Sequence, residues 1–122
     1  MLLTILLWLD FVAVSFVRNA EDIINVKKYI DDDTKVIAKI ELKSAVKNLK
    51  SIIQESDGVM VARGDLGVQL PLERIPLVQK EILNETNLQG KITITATEML
   101  TSMISSHRPT RAEVSDITNA IL

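Results

Sequence analysis

Four short apolar runs punctuate the chain: Phe11 to Val17, Val36 to Ile40, Val59 to Ala62 and Ile92 to Ala96. They are rich in Val and Ile and too short for ordinary helices, so they predict β-strands. Because the runs are nearly continuous rather than alternating, they predict a parallel sheet buried on both faces. Between them apolar residues recur at the three- and four-residue spacing of amphipathic helices. Ile23, Ile24, Val26 and Ile30 mark a helix over Asn19 to Asp31, and Ala45, Val46, Leu49, Ile52 and Ile53 mark one over Ser44 to Gln54. Ile75, Val78, Ile82 and Leu83 mark a third over Leu72 to Asn87, with Gly90 closing the connection. Pro109 and the capping box Thr110-Arg111-Ala112-Glu113 open the last helix. Glu98 to Ser105 is a candidate short extra helix, with Met99, Leu100 and Met103 expected in the core.

The predicted order is therefore β-α-β-α-β-α-β-α, which implies right-handed crossovers and a parallel sheet. A closed eightfold barrel takes about 250 residues. At 122 residues this chain supplies about four βα units.

The first residues, MLLTILLWLDFVAVSFV, are nearly all apolar. A membrane span needs about 20 apolar residues, and a charge near its centre is costly. A signal peptide begins with a positive charge. Here Asp10 interrupts the run and no Lys or Arg precedes Arg18. The expectation is a buried strand, DFVAVSFV, after an atypical apolar start at residues 1–9. A membrane-tethered fragment anchored by residues 1–17 is the weaker alternative.

Composition narrows the function. Apolar residues make up 47% and charged residues 25%, as in ordinary soluble domains. A net charge of −2 gives no basic footprint for nucleic acid. There is no cysteine for a disulfide or thiolate metal site, and one histidine, His107, to which no chemistry is assigned. Neither GxxxxGK[ST] nor GxGxxG occurs.

The candidate chemistry lies at the strand ends, where parallel α/β folds gather their sites. These ends read Ser15-Phe16-Val17-Arg18, Ala38-Lys39-Ile40-Glu41, Ala62-Arg63-Gly64-Asp65 and Thr95-Ala96-Thr97-Glu98. Period-two alternation puts Lys39 and Glu41 on one face. Glu41 and Asp65 are hard oxygen ligands suited to Mg²⁺, with Lys39 facing an anion held by the metal. A surface ion pair between Lys39 and Glu41 is the plain alternative. Gly64 and Gly67 bracket Asp65, as in a turn whose successive N–H groups nest an anion; an ordinary strand-to-loop turn is the plain alternative, which Gly-Asp alone does not exclude. Thr97 offers a hydroxyl beside the same cluster, although a β-branched strand residue needs no function.

The blocks DFVAVSFVR, KVIAKIE, SDGVMVARGDLGVQLP and ITATEMLTSMISSHRPTRAEVSD resemble consecutive blocks of pyruvate kinase, in order and in spacing, from Asp10 to Leu122. The resemblance implies α/β architecture, a partial (β/α)₈ barrel of about four βα units from the second half, over residues 10–122. It implies transfer of a phosphoryl group from phosphoenolpyruvate to ADP, giving pyruvate and ATP. Lys39 is similar to the lysine that stabilises the transferring group and the developing enolate. Glu41 and Asp65 match the ligands of Mg²⁺ or Mn²⁺. The backbone around Ala62 to Asp65, Gly64 included, matches the segment that binds the substrate carboxylate. Thr97 matches the threonine near the protonated carbon. Arg111 is an interface candidate in a family that is usually tetrameric.

Some positions depart from the family's pattern: Leu42, Gln69 in place of a common Glu, and Glu98 in place of a common Gln. The family's K⁺ ligands, a phosphate-binding arginine, the small lid domain and the carboxyl-terminal domain have no counterpart in these residues. The expectation is a fragment, inactive alone and cytoplasmic, with NLKSII and LERIPLVQKEI leaning towards plastid forms. The alternative is a truncated, non-catalytic chain that associates with full-length subunits through its RPTRAEVSD helix.

Overall fold

The computed structural model describes residues 9–122, so the expectation for the apolar start falls almost wholly outside the described residues. Four strands, β1 (Phe11–Val14), β2 (Lys35–Ile40), β3 (Gly58–Ala62) and β4 (Ile92–Ala96), form one sheet in the order β1-β2-β3-β4. Every pair is parallel. Each strand lies beside the next in sequence with no reversal of order. That is the progression of a barrel wall, and a doubly wound sheet would reverse it.

The register decides which residues share a face. Val12, Val36 and the Val14–Ala38 pair point one way, as do Val59 with Thr93 and Val61 with Thr95. Helices α1 (Ala20–Lys27), α3 (Leu49–Glu55) and α5 (Ile75–Leu88) cover this face. Ile23, Ile52, Ile53 and Ile82 are fully buried against Val36, Ile40, Val59 and Val61. Burying one such aliphatic side chain stabilises by about 1.5–3 kcal/mol, so this layer carries the fold. The opposite face holds Ala13, Ile37, Lys39, Met60 and Ile94. There Ile92 and Ile94 are exposed. Burial on both faces therefore holds for β2 and β3 and fails for the outer strands, which have a neighbour on one side only.

Local chemistry explains where elements begin and break. Asn19 caps α1 by accepting from the Asp22 amide, with Glu21 and Asp22 in the first turn. The helix predicted over Ser44 to Gln54 is broken in two, α2 (Lys43–Lys47) and α3. Asn48 sits at the break and donates its side-chain amide to Arg18 O at 2.9 Å. Gly58 is required by close packing: a Cβ there would lie 2.8 Å from Ile92 O and 2.9 Å from Ile37 Cδ1. Gly90 has φ +63°, the left-handed turn expected after α5.

Three expectations are corrected. The first strand ends at Val14, because Phe16 adopts φ +56° and the strand cannot run on to Val17. The stretch after β3 is helical: α4 (Arg63–Gln69) contains Gly64, Asp65 and Gly67. Glycine disfavours helix, and here packing overrides it through Leu66, which is fully buried. The predicted Glu98 to Ser105 helix is a 3₁₀ turn at Thr101–Ile104, preceded by left-handed Thr97, Glu98 and Leu100. Met103 is 40% exposed and lies outside the core. The last helix, α6 (Arg111–Ile121), starts at Thr110 with the predicted capping box. Among the described residues no helix is long and apolar enough to cross a membrane.

Candidate active site

Lys39 and Glu41 stand on the helix-free face at the carboxyl end of β2. Lys39 Nζ lies 2.6 Å from Glu41 Oε1 and donates to Ser15 Oγ at 3.0 Å. The other carboxylate oxygen of Glu41 accepts from the Phe16 amide at 2.5 Å. The Glu41 side chain is only 2% exposed, against 25% for Lys39. The pair is thus no surface ion pair, the plain alternative open at the sequence level. A carboxylate out of water must be compensated, and here one ammonium and one amide do it. Phe16, whose amide makes this bond, adopts the left-handed conformation. Of the first strand's polar end, Ser15 joins the cluster. Arg18 instead pairs with Asp22 at 2.9 Å, and that contact raises the guanidinium pKa and lowers the carboxyl.

Asp65 lies exposed in the first turn of α4, whose N-cap, Ala62, supplies no side-chain cap. The predicted nest is therefore a helix start. Its first amides lack intrahelical partners. The Gly64 amide is held by Thr97 Oγ1 at 3.1 Å. Thr97 itself has φ +66°, a rare conformation for a β-branched residue, costing about 1–3 kcal/mol.

Sequence reasoning missed the group that holds Thr97 there. Arg63 is only 7% exposed. Its Nη2 and Nε donate to Thr97 O at 2.6 and 3.2 Å, and its Nη1 donates to Asp116 Oδ1 of α6 at 2.6 Å. The available signal was an arginine directly following an apolar run, where a buried position demands a carboxylate and acceptors. An open cleft of about 390 Å³, lined by Arg63, Gly64, Gly67, Leu72 and Glu98, flanks this corner; Lys39 and Glu41 lie outside it. Arg111 is exposed at the first position of α6.

Glu113, also on α6, accepts from the Ser102 hydroxyl at 2.5 Å, the Ser102 amide at 2.8 Å and the Thr110 amide at 2.8 Å. These bonds, led by the Ser102 hydroxyl, hold its carboxyl at about 2, below the usual 4.5. A depressed acid stabilises fully above about 4.5 and loses that contribution as pH falls towards 2. The Ser102 amide resonance is accordingly expected to titrate with a midpoint near 2. A midpoint near 4.5 would show that the contact does not form in solution.

As a metal centre the arrangement is sparse. Among the described residues there is no group of three or more His, Cys, Asp or Glu side chains placed to hold an ion. The donors present, Glu41 and Asp65, are carboxylates. That set fits a hard divalent cation whose shell is completed by water and substrate oxygens, and does not fit a closed structural site.

Residues 3–122 match the family model described as pyruvate kinase, barrel domain. The chain is similar to the pyruvate kinases of Clostridium perfringens and Methanocaldococcus jannaschii. The first is 54% identical over 116 residues, covering 92% of this chain and 24% of the relative. The second is 56% identical over 115 residues, covering 92% and 26%. A crystal structure of a pyruvate kinase from Cryptosporidium parvum superposes with a TM-score of 0.89 at 46% identity, covering 93% of this chain and 25% of that one. The chain thus spans about a quarter of the length of the relatives it matches.

Proposed function

The chain belongs to the pyruvate kinase family, and from that premise we propose that it carries the strand-end half of a site transferring a phosphoryl group from phosphoenolpyruvate to ADP. The observation that supports this most is the buried Glu41 carboxylate bonded to Lys39 at 2.6 Å on the open face of the sheet. Phosphoryl transfer asks a protein for positioning and for neutralisation of spread negative charge. Lys39 supplies a cation with three donors, one on Ser15 and one on Glu41, leaving one to meet a phosphoryl or enolate oxygen. Glu41 and Asp65 would hold Mg²⁺ or Mn²⁺, which when bound supplies the divalent charge that draws the substrate's oxygens together. The backbone from Gly64 to Asp65 would meet the substrate carboxylate through the Asp65 amide, since the Gly64 amide is held by Thr97. Thr97 presents its hydroxyl near the carbon that is protonated. K⁺, which the family usually requires, would find its ligands outside these residues, and a cytoplasmic homotetramer with Arg111 at an interface follows from the same kinship. Association with full-length subunits is the second reading, favoured by exposed Val114 and Ile121 on α6.

The test is a hybrid enzyme in which residues 10–122 replace the matching stretch of the clostridial relative. Turnover of phosphoenolpyruvate and ADP, coupled to NADH oxidation, is expected. A folded hybrid with no turnover would overturn the reading. The 122-residue chain alone is expected to show none.

A further inference from the structure

Arg63 belongs to none of the roles above, yet it is the most buried cation of the corner and makes three hydrogen bonds. Two of them converge on one atom, the carbonyl oxygen of Thr97. The next residue, Gly64, bonds the Thr97 hydroxyl through its amide. Thr97 is thereby gripped at both ends by consecutive residues of α4. The grip falls where Thr97, Glu98 and Leu100 all adopt positive φ. Three such residues in four do not hold themselves, so their geometry must be imposed by neighbours. Arg63 is itself fixed by Asp116, one turn along α6 from Glu113, which ties down Ser102. Thus α6 anchors both sides of the segment that carries the hydroxyl.

We infer that Arg63 is a positioning residue for the protonation step: it fixes the Thr97 backbone so that the Thr97 hydroxyl reaches the substrate carbon, and Asp116 fixes Arg63. This rests on the proposed function above. The alternative, that Arg63 merely fills a buried polar site, predicts a loss of stability and no link to Thr97.

The experiment is a double-substitution cycle in the hybrid enzyme, using Arg63→Lys and Thr97→Val. Lysine keeps the charge but cannot place two donors on one carbonyl and a third on Asp116. Misplacing a reacting group by about 1 Å costs about 10²-fold, so Arg63→Lys is expected to lower kcat by about that factor with KM changed little. The exchange of solvent deuterium into the pyruvate methyl group should fall in parallel. On the Thr97→Val background the same change should cost less than about twofold, because the group being positioned is gone. Independent losses that multiply would overturn the proposal, as would full exchange in Arg63→Lys. If Arg63→Lys does not fold, Asp116→Asn replaces it in the same cycle, with the same two outcomes. An inactive parent hybrid would refute the functional reading, and an unimpaired Thr97→Val would refute the role given to Thr97. In an active parent with an impaired Thr97→Val, multiplicative losses or full exchange in Arg63→Lys would refute this proposal alone.

Discussion

Replacing Lys39 by Met in the hybrid enzyme is expected to lower phosphoryl transfer by at least about 10³-fold, while Mn²⁺ binding persists. Removing one neutral donor from a preorganised anion site already costs about 10²–10³-fold. Lys39 brings a full charge, so its loss lies at or beyond that limit. Its position leaves little room for a substitute. Among the described residues it is the one cation bonded to Glu41, and its ammonium is fixed by Ser15 at 3.0 Å. The same geometry predicts what happens to the metal. Without Lys39, Glu41 Oε1 loses its 2.6 Å partner and no cation competes for that oxygen. Mn²⁺ affinity, read by paramagnetic resonance, should therefore be unchanged or raised. Activity within tenfold of the parent would remove Lys39 from the chemistry. A collapse of Mn²⁺ affinity would mean that Lys39 organises the carboxylate rather than facing the substrate.

Much of this site could be read from the sequence because strands have a simple period. KIE places two charged side chains on one face of any strand, and the structure brings them together at 2.6 Å. The four strands and the capping box at Thr110 were legible for the same reason: each is set by a local pattern. What escaped the sequence was set at long range. α4 contains two glycines in seven residues, and no local propensity predicts it; it forms because Leu66 is drawn into the core. The positive φ values at Phe16 and Thr97 accompany bonds to Glu41 and Arg63, 25 and 34 residues away in sequence. Arg63 and Asp116 lie 53 residues apart, and no spacing rule pairs them. The polarity of the strand ends was thus visible, but the network that aims it was not.

Substituting Glu41 by Gln is expected to lower Mn²⁺ affinity by at least about 10²-fold, since altering even an outer partner of a metal ligand costs about 10–100-fold. Turnover should fall in both variants, and it is the loss of Mn²⁺ affinity that separates this change from Lys39→Met. The amide is nearly isosteric, and its oxygen can still accept from the Phe16 amide. Its NH₂ group then points at the Lys39 ammonium, donor against donor, and Lys39 must turn to solvent. Because Lys39 is 25% exposed, that movement is possible at small cost. Lys39→Met is harsher on the fold, because it strands a carboxylate only 2% exposed. Breaking a fully buried pair from one side costs about 3–5 kcal/mol, and partial exposure of the lysine lowers that figure here. The expected order of thermal stability is therefore parent, then Glu41→Gln, then Lys39→Met. The Lys39→Met/Glu41→Gln double variant should recover part of the loss while remaining inactive, since both charges are then gone. Melting curves of the four proteins decide the matter. A double variant less stable than either single one would mean that the two charges stabilise the strand end independently, and the compensated pair would no longer explain how Glu41 is tolerated out of water.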